Sequence, residues 1–181
     1  MRDRTLTAVL LAAIALAACA QSPLNERSGR SLLPAETAGN ATVDFLFPEQ
    51  VTAPAGKPTT VALHFRVRDG LHINSHTPKE EFLIPTVLTF PEDAGVRLEG
   101  AVYPAGSDFV FPLDPKEKLS VYQGEFVIQA RIVVAPGDHL VQAKLRYQAC
   151  DDNACMPPRT LTAAIEVLGK QGTRESGNRV Q

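Results

Sequence analysis

The sequence has 181 residues, 44% hydrophobic and 21% charged, a composition typical of one globular domain and not of a disordered chain. Its 18 basic and 20 acidic residues give a formal charge of −2, which leaves no basic surplus to bind the phosphate backbone of a nucleic acid. No apolar run reaches the roughly 18 residues of a membrane span, which excludes a polytopic membrane protein.

The first 18 residues have the pattern of an export signal. Arg2 and Arg4 precede a short apolar run, which ends in Leu-Ala-Ala-Cys at Cys19. Small residues before a cysteine are typical of the lipobox of bacterial lipoproteins, so we predict cleavage after residue 18 and a lipid on Cys19. The alternative is an ordinary secretory peptide. Both export the protein. The lipid would hold it on the periplasmic face of a membrane, and Ala20, where aspartate would signal inner-membrane retention, favours the outer membrane.

Three regions follow the predicted signal peptide (1–18). Residues 19–40 are polar and without periodicity, so we expect a lipidated cysteine followed by a flexible tether of about 25 Å. Residues 41–168 are predicted to form the folded domain. The polar tail, 169–181, is predicted to be disordered.

The predicted domain has a hydrophobic period of two, the pattern of strands with one buried face. The clearest alternation covers 61–67, 126–132, 141–147 and 161–167, and weaker strands are predicted at 42–47, 71–74, 86–90 and 97–103. Turn signals rich in Pro, Gly and Asp separate them. We therefore predict an all-β fold, an immunoglobulin-like sandwich of two antiparallel sheets, with a closed barrel as the alternative.

One segment of the domain, residues 105–120, does not fit this alternation. It places two large apolar residues, Phe109 and Phe111, among polar and turn-forming neighbours. Such side chains in an irregular loop either pack on the core or cover another part of the protein.

Cys150 and Cys155 lie between two predicted strands, at a spacing that a hairpin end can close into a disulfide. Export places them in an oxidising compartment. A structural disulfide, a redox-active pair and a metal site all remain open. A structural bridge closing about six residues would stabilise the fold by only roughly 2 kcal/mol.

For a metal site, Met156, His72 or His76 could complete a Cu(I) site with the two thiolates, although the spacing is not that of a zinc knuckle. The sequence carries no nucleophile elbow, phosphate-binding loop or dinucleotide fingerprint. We therefore expect no cofactor.

The neighbours of the two cysteines predict a slowly reacting dithiol. Asp151 and Asp152 place negative charge beside Cys150, and like charge disfavours its thiolate. Pro157 and Pro158 stiffen the chain after the second cysteine. The pattern favours a thiol that reacts when a partner docks.

Two sequence blocks at the cysteines, Tyr147-Gln148-Ala149-Cys150 and Cys155-Met156-Pro157-Pro158, resemble the amino-terminal periplasmic domain of the thiol:disulfide interchange protein DsbD. Two upstream segments, 69–74 and 103–104, lie where that domain carries similar ones. The resemblance covers residues 43–167.

The resemblance implies an immunoglobulin-like domain that shuttles electrons between thioredoxin-fold proteins, among them disulfide isomerases and cytochrome c maturation factors. It implies that Cys155 forms the mixed disulfide and that Cys150 resolves it. A cap shields the pair, and residues 108–111, with Phe109 or Phe111, are the candidate for it. Tyr147, Pro157 and Pro158 would frame the site. The activity implied is that of a protein-disulfide reductase acting with its partners.

Two alternatives to the carrier remain at this stage. One is a non-enzymatic immunoglobulin-like binding lipoprotein whose hairpin disulfide is permanent. The other is a copper-binding lipoprotein. The chain also departs from DsbD, which continues into membrane helices and a thioredoxin-like domain, and its cysteine spacing is one residue shorter than in the best-known member. We therefore expect the electron donor to be a separate polypeptide.

Overall fold

The computed structural model describes residues 41–46, 50–110, 116 and 118–172. The predicted signal peptide, Cys19, the whole of the predicted tether, Phe111 and most of the predicted tail lie outside these residues. The described part of the chain forms twelve strands and no helix that could cross a membrane. In chain order the strands are β1 (Val43–Phe45), β2 (Val51–Pro54), β3 (Thr59–Val67), β4 (His72–Asn74), β5 (Val87–Thr89), β6 (Val96–Val102), β7 (Ser107–Val110), β8 (Lys118–Tyr122), β9 (Glu125–Val134), β10 (Gly137–Tyr147), β11 (Ala149–Cys150) and β12 (Arg159–Lys170).

The strands form three four-stranded sheets. Sheet 1 has the order β1-β3-β9-β6, sheet 2 the order β2-β12-β10-β5, and sheet 3 the order β11-β4-β8-β7. The pairing is antiparallel except where β2 joins β12 in parallel. The all-β, immunoglobulin-like prediction is confirmed, and each of the eight predicted strands corresponds to an observed one. The third sheet and the parallel pair are features that the predicted pair of antiparallel sheets did not include.

The core is one cluster to which all three sheets contribute. Phe65 of sheet 1 and Leu145 of sheet 2 are completely buried, as is Ile73 of sheet 3. Burying a side chain of this size stabilises the fold by about 1.5–3 kcal/mol relative to an exposed one. Sheet 3 is therefore packed on the same core as the other two sheets, and this packing holds the strands at its edge in position.

The segment 105–120, which the sequence presented as irregular, contains two paired strands. β7 and β8 are antiparallel, and Phe109 lies opposite Leu119 in their register. The alternation is hard to detect because both strands are short, and three of the four β7 residues are exposed. Most of the connection between the strands lies outside the described residues.

Strand β12 extends beyond the predicted end of the domain, to Lys170. Gly169 pairs with Gly137 on one side and with Ala53 on the other. A Cβ atom at Gly169 would lie 2.0 Å from the backbone oxygen of Ala135, so only glycine fits this close approach. The polar appearance of residues 169 and 170 therefore does not indicate a disordered start to the tail.

Candidate functional site

The chain passes from sheet 2 to sheet 3 immediately before the first cysteine. Strand β10 ends at Tyr147, and β11 begins two residues later and pairs with β4. Gln148 holds this crossover in place, since its side-chain nitrogen donates to the backbone oxygen of Met156 at 3.2 Å and its backbone oxygen accepts from the Asn74 amide at 3.3 Å. The cysteine hairpin is thus fixed at its base.

Cys150 and Cys155 form a disulfide across this hairpin, with their Cα atoms 3.9 Å apart. Two backbone hydrogen bonds flank the bridge, from Met156 N to Ala149 O at 2.8 Å and from Asp151 N to Ala154 O at 3.0 Å. The cysteines therefore occupy a non-hydrogen-bonded pair of the antiparallel ladder, the position where opposing residues approach most closely. This local geometry explains how the short spacing forms a bridge.

The turn that connects the two cysteines is closed by Asp151. Its Oδ1 accepts hydrogen bonds from the backbone amides of Asn153 at 2.7 Å and Ala154 at 2.8 Å. These bonds favour the carboxylate, so they lower the pKa of Asp151, and the nearby His72 lowers it further. The turn therefore carries a stable negative charge at neutral pH, as the sequence predicted for the surroundings of Cys150.

The two sulfur-bearing residues differ strongly in access to solvent. Cys150 is 1% exposed and lies in sheet 3, whereas Cys155 is exposed to solvent. A docking protein would therefore meet Cys155 first. The attacking and resolving roles that the resemblance implies for Cys155 and Cys150 stay predictions.

His72 lies opposite Cys150 in the register of β4 and β11. It is 1% exposed, and burial lowers the pKa of its imidazole, although Asp152 and Asp151 act in the opposite direction. The sequence had offered His72 only as a possible metal ligand, because neither a single histidine nor its spacing from His76 shows which strand it will face.

Phe109 is half-buried in β7, and its ring packs at a tilt of 32° against the imidazole of His72, with the ring centroids 4.0 Å apart. The neighbouring Asp108 forms ion pairs with Lys79 at 2.7 Å and Lys118 at 3.6 Å, and these cations lower its pKa. Exposed ion pairs of this kind add little stability, so the strand pairing of β7 does most to place Phe109. His72 is therefore in ring contact with Phe109 and lies opposite Cys150 in the strand register.

The other predicted site residues lie around the hairpin. Tyr147 is buried, and its hydroxyl is 2.7 Å from that of Thr42, so it links the end of β10 to the start of the domain. Pro157 and Pro158 are exposed beyond the second cysteine. The framing roles of these three residues stay predictions.

The histidines do not form a metal site with the cysteines. His76 stacks on Tyr103 with the ring centroids 3.7 Å apart, and its Nδ1 lies 2.9 Å from the backbone oxygen of Thr86. Within the described ranges, no group of three or more His, Cys, Asp or Glu side chains is placed to hold a metal ion. The structure therefore offers no support for the copper alternative.

The site is thus a disulfide at a hairpin end of an immunoglobulin-like fold, with one buried and one exposed cysteine, an arrangement that thiol–disulfide exchange can use. Residues 42–166 match the family model described as "Thiol:disulfide interchange protein DsbD, N-terminal". The match covers well over half of the sequence, so the chain belongs to this family.

Two solved structures are similar to this chain. The DsbD amino-terminal domain of Neisseria meningitidis, in the reduced form, is 17% identical with a TM-score of 0.42, covering 60% of this chain and 77% of that one. The amino-terminal periplasmic domain of ScsB from Proteus mirabilis is 13% identical with a TM-score of 0.44, covering 63% of this chain and 42% of that one. No curated protein matches the sequence.

Proposed function

We propose that the protein is an exported thiol–disulfide carrier that passes reducing equivalents between thioredoxin-fold partners through Cys150 and Cys155. The observation that supports this proposal most directly is the unequal burial of the bridge, with Cys155 exposed and Cys150 1% exposed. A structural bridge needs no exposed sulfur, whereas exchange requires one that a partner's sulfur can reach.

In the first half of the proposed cycle, the carrier is reduced. A donor thiolate attacks Sγ of Cys155, the bond to Cys150 breaks, and Cys150 leaves as a thiolate that takes up a proton. The donor's second thiolate then attacks the donor sulfur of the mixed disulfide. The donor departs as a disulfide, and two electrons and two protons remain on the carrier as two thiols.

In the second half, the Cys155 thiolate attacks an acceptor disulfide and forms a mixed disulfide with it. Cys150 then attacks Sγ of Cys155, which restores the bridge and releases the acceptor as a dithiol. The acceptors proposed from the family are thioredoxin-fold proteins such as disulfide isomerases and cytochrome c maturation factors. In this cycle the protein acts as a protein-disulfide reductase without a cofactor.

The carrier proposal is tested by the reduction potential of the bridge and by its exchange with thioredoxin. We expect a potential between about −270 and −120 mV, the range of exchanging proteins, and equilibration with reduced thioredoxin within minutes. The folded protein is equilibrated with oxidised and reduced thioredoxin at known ratios. The fraction of reduced Cys150 and Cys155 is then measured by alkylation and mass spectrometry. A potential below about −300 mV with no exchange would instead establish a permanent structural bridge.

The proposed location is the periplasmic face of the outer membrane, with a lipid on Cys19. The leader of this chain has the pattern of a lipoprotein signal, which supports this location. We expect the full-length protein in outer-membrane fractions, with a diacylglycerol mass on Cys19, and C19A in the soluble fraction or unprocessed. Processed C19A in the outer membrane, or unmodified Cys19 in the mature protein, would contradict the anchor without affecting the exchange chemistry.

A further inference from the structure

One titratable side chain lies directly opposite the buried cysteine. The register of β4 and β11 pairs His72 with Cys150, and both residues are 1% exposed. Opposing residues of an antiparallel pair project from the same face of the sheet, with Cβ atoms about 4.5–5.5 Å apart. The side chains of His72 and Cys150 are therefore buried neighbours on one face of sheet 3.

The imidazole has an unused hydrogen-bonding atom. Over residues 41–46, 50–110, 116 and 118–172, Nε2 of His72 is one of two buried side-chain nitrogen or oxygen atoms that have no hydrogen-bond partner, and the other is Oδ1 of Asn74. Buried polar atoms without partners are rare because leaving them unpaired costs free energy. A partner that forms only after the disulfide opens would explain why Nε2 stands unpaired in the oxidised protein.

We propose that His72 accepts the proton of the Cys150 thiol when Cys150 attacks the mixed disulfide on Cys155. This inference rests on the proposed carrier function. The proton moves from Sγ of Cys150 to the imidazole, a bond forms between the two cysteine sulfurs, and the bond from Cys155 to the partner's sulfur breaks. The cysteine pair is thereby oxidised, the partner leaves as a reduced thiolate, and His72 releases the proton to solvent.

The step needs a base because its nucleophile is hard to ionise. Cys150 is buried, and the carboxylates of Asp151 and Asp152 follow it directly in the chain. Both burial and neighbouring negative charge disfavour a thiolate. A buried base opposite Cys150 can take the proton of its thiol without exposing the sulfur to water.

The surroundings of His72 favour the neutral imidazole before the proton transfer and the imidazolium after it. Burial lowers the pKa of the imidazole, so it is neutral and able to accept a proton near pH 7. Asp152 and Asp151, across the hairpin, act electrostatically on His72 and would stabilise the imidazolium once it forms. The new thiolate of Cys150 would do the same.

On the cap side, Phe109 covers the imidazole, and the nearby charged groups are paired with one another. Asp108 contacts both Lys79 and Lys118, and all three side chains are exposed. Water and salt screen exposed charges strongly. We therefore expect the two turn carboxylates to dominate the electrostatics of the imidazole.

The test follows the reduced protein as it reacts with dithiobis-nitrobenzoate, a small disulfide that releases a coloured thiolate at each step. The first release, by Cys155, depends on reagent concentration, and the second, by Cys150, does not. In the wild type we expect the second rate constant to be nearly constant between about pH 6.5 and 8. In H72F, which keeps an aromatic ring beneath Phe109, it should fall at least about tenfold at pH 7 and rise about tenfold per pH unit.

A matched control is H76F, because His76 also stacks on an aromatic ring but pairs with no cysteine. We expect both of its releases to match the wild type. If H72F does not fold, H72Q, which can hydrogen-bond but cannot take the proton, should show the same loss. An H72F or H72Q protein with an unchanged second release, or with both releases slowed equally, would overturn the role of His72.

The wild-type pH profile tests the inference without any variant, since a second rate constant that rises tenfold per pH unit across neutrality would also overturn it. The reagent replaces the protein partner, so the outcome does not depend on whether thioredoxin-fold proteins exchange with the carrier. Failure of the carrier function would appear in the thioredoxin experiment, and failure of the His72 role would appear here.

Discussion

C155S should abolish electron transfer to a thioredoxin-fold acceptor, whereas C150S should trap the acceptor in a stable covalent complex. The exposed Cys155 is the sulfur that a docked partner can reach, and Cys150 lies buried on the strand beside it. Without Cys150, nothing within the hairpin can displace the acceptor from Cys155.

The two serine variants are matched controls for each other. Each removes the same bridge, so each loses the same loop constraint, worth about 2 kcal/mol for so small a loop. The measurement combines transfer of reducing equivalents to oxidised thioredoxin with non-reducing electrophoresis, on which the C150S complex should appear at one-to-one stoichiometry and disappear with dithiothreitol. A complex formed by C155S through Cys150 would reverse the assigned roles, and unchanged transfer in both variants would end the carrier proposal.

F109A should make the disulfide react faster with small thiols, by about tenfold or more in the rate of reduction by dithiothreitol. The ring of Phe109 covers His72, which in turn lies opposite Cys150. Removing the ring opens a path for solvent and small molecules to the bridge. Because Phe109 is only half-buried, the loss of fold stability should stay near 1 kcal/mol.

The neighbouring V110A is the matched control for F109A. Val110 is 46% exposed and, as the next residue of β7, projects from the opposite face of the strand. We expect its bridge to be reduced at the wild-type rate. F111A completes the comparison, because Phe111 lies outside the described residues and is the other cap candidate. Acceleration in F111A alone would transfer the cap role to Phe111, and no acceleration in either variant would contradict a phenylalanine cap.

Much of the fold could be predicted because strand patterns are local. Residues 61–67, for example, alternate between apolar and more polar side chains, and they lie within β3 with its alternating burial. The short edge strands were harder to detect. β7 has four residues, three of them exposed, and β11 has two, so neither carries enough alternation to reveal a buried face.

In the candidate site, too, local features could be predicted from the sequence and long-range ones could not. The position of Cys150 and Cys155 at a hairpin, with acidic residues between them, was predictable because the whole feature spans a few consecutive residues. The position of His72 was not predictable from its neighbours. Its register pairing with Cys150 and its ring contact with Phe109 depend on the order of strands in sheet 3, which the local pattern does not encode.

By itself, the sequence determined the strand-rich domain, the cysteine pair and its negative turn, because each follows from the chemistry of residues close together in the chain. Only the tertiary structure decided that Cys150 is buried while Cys155 is exposed. It also decided that an imidazole with an unpaired nitrogen lies opposite the buried cysteine and contacts a phenylalanine. The physical reason is that burial and cross-strand contact arise when distant strands pair in one register and pack on a shared core.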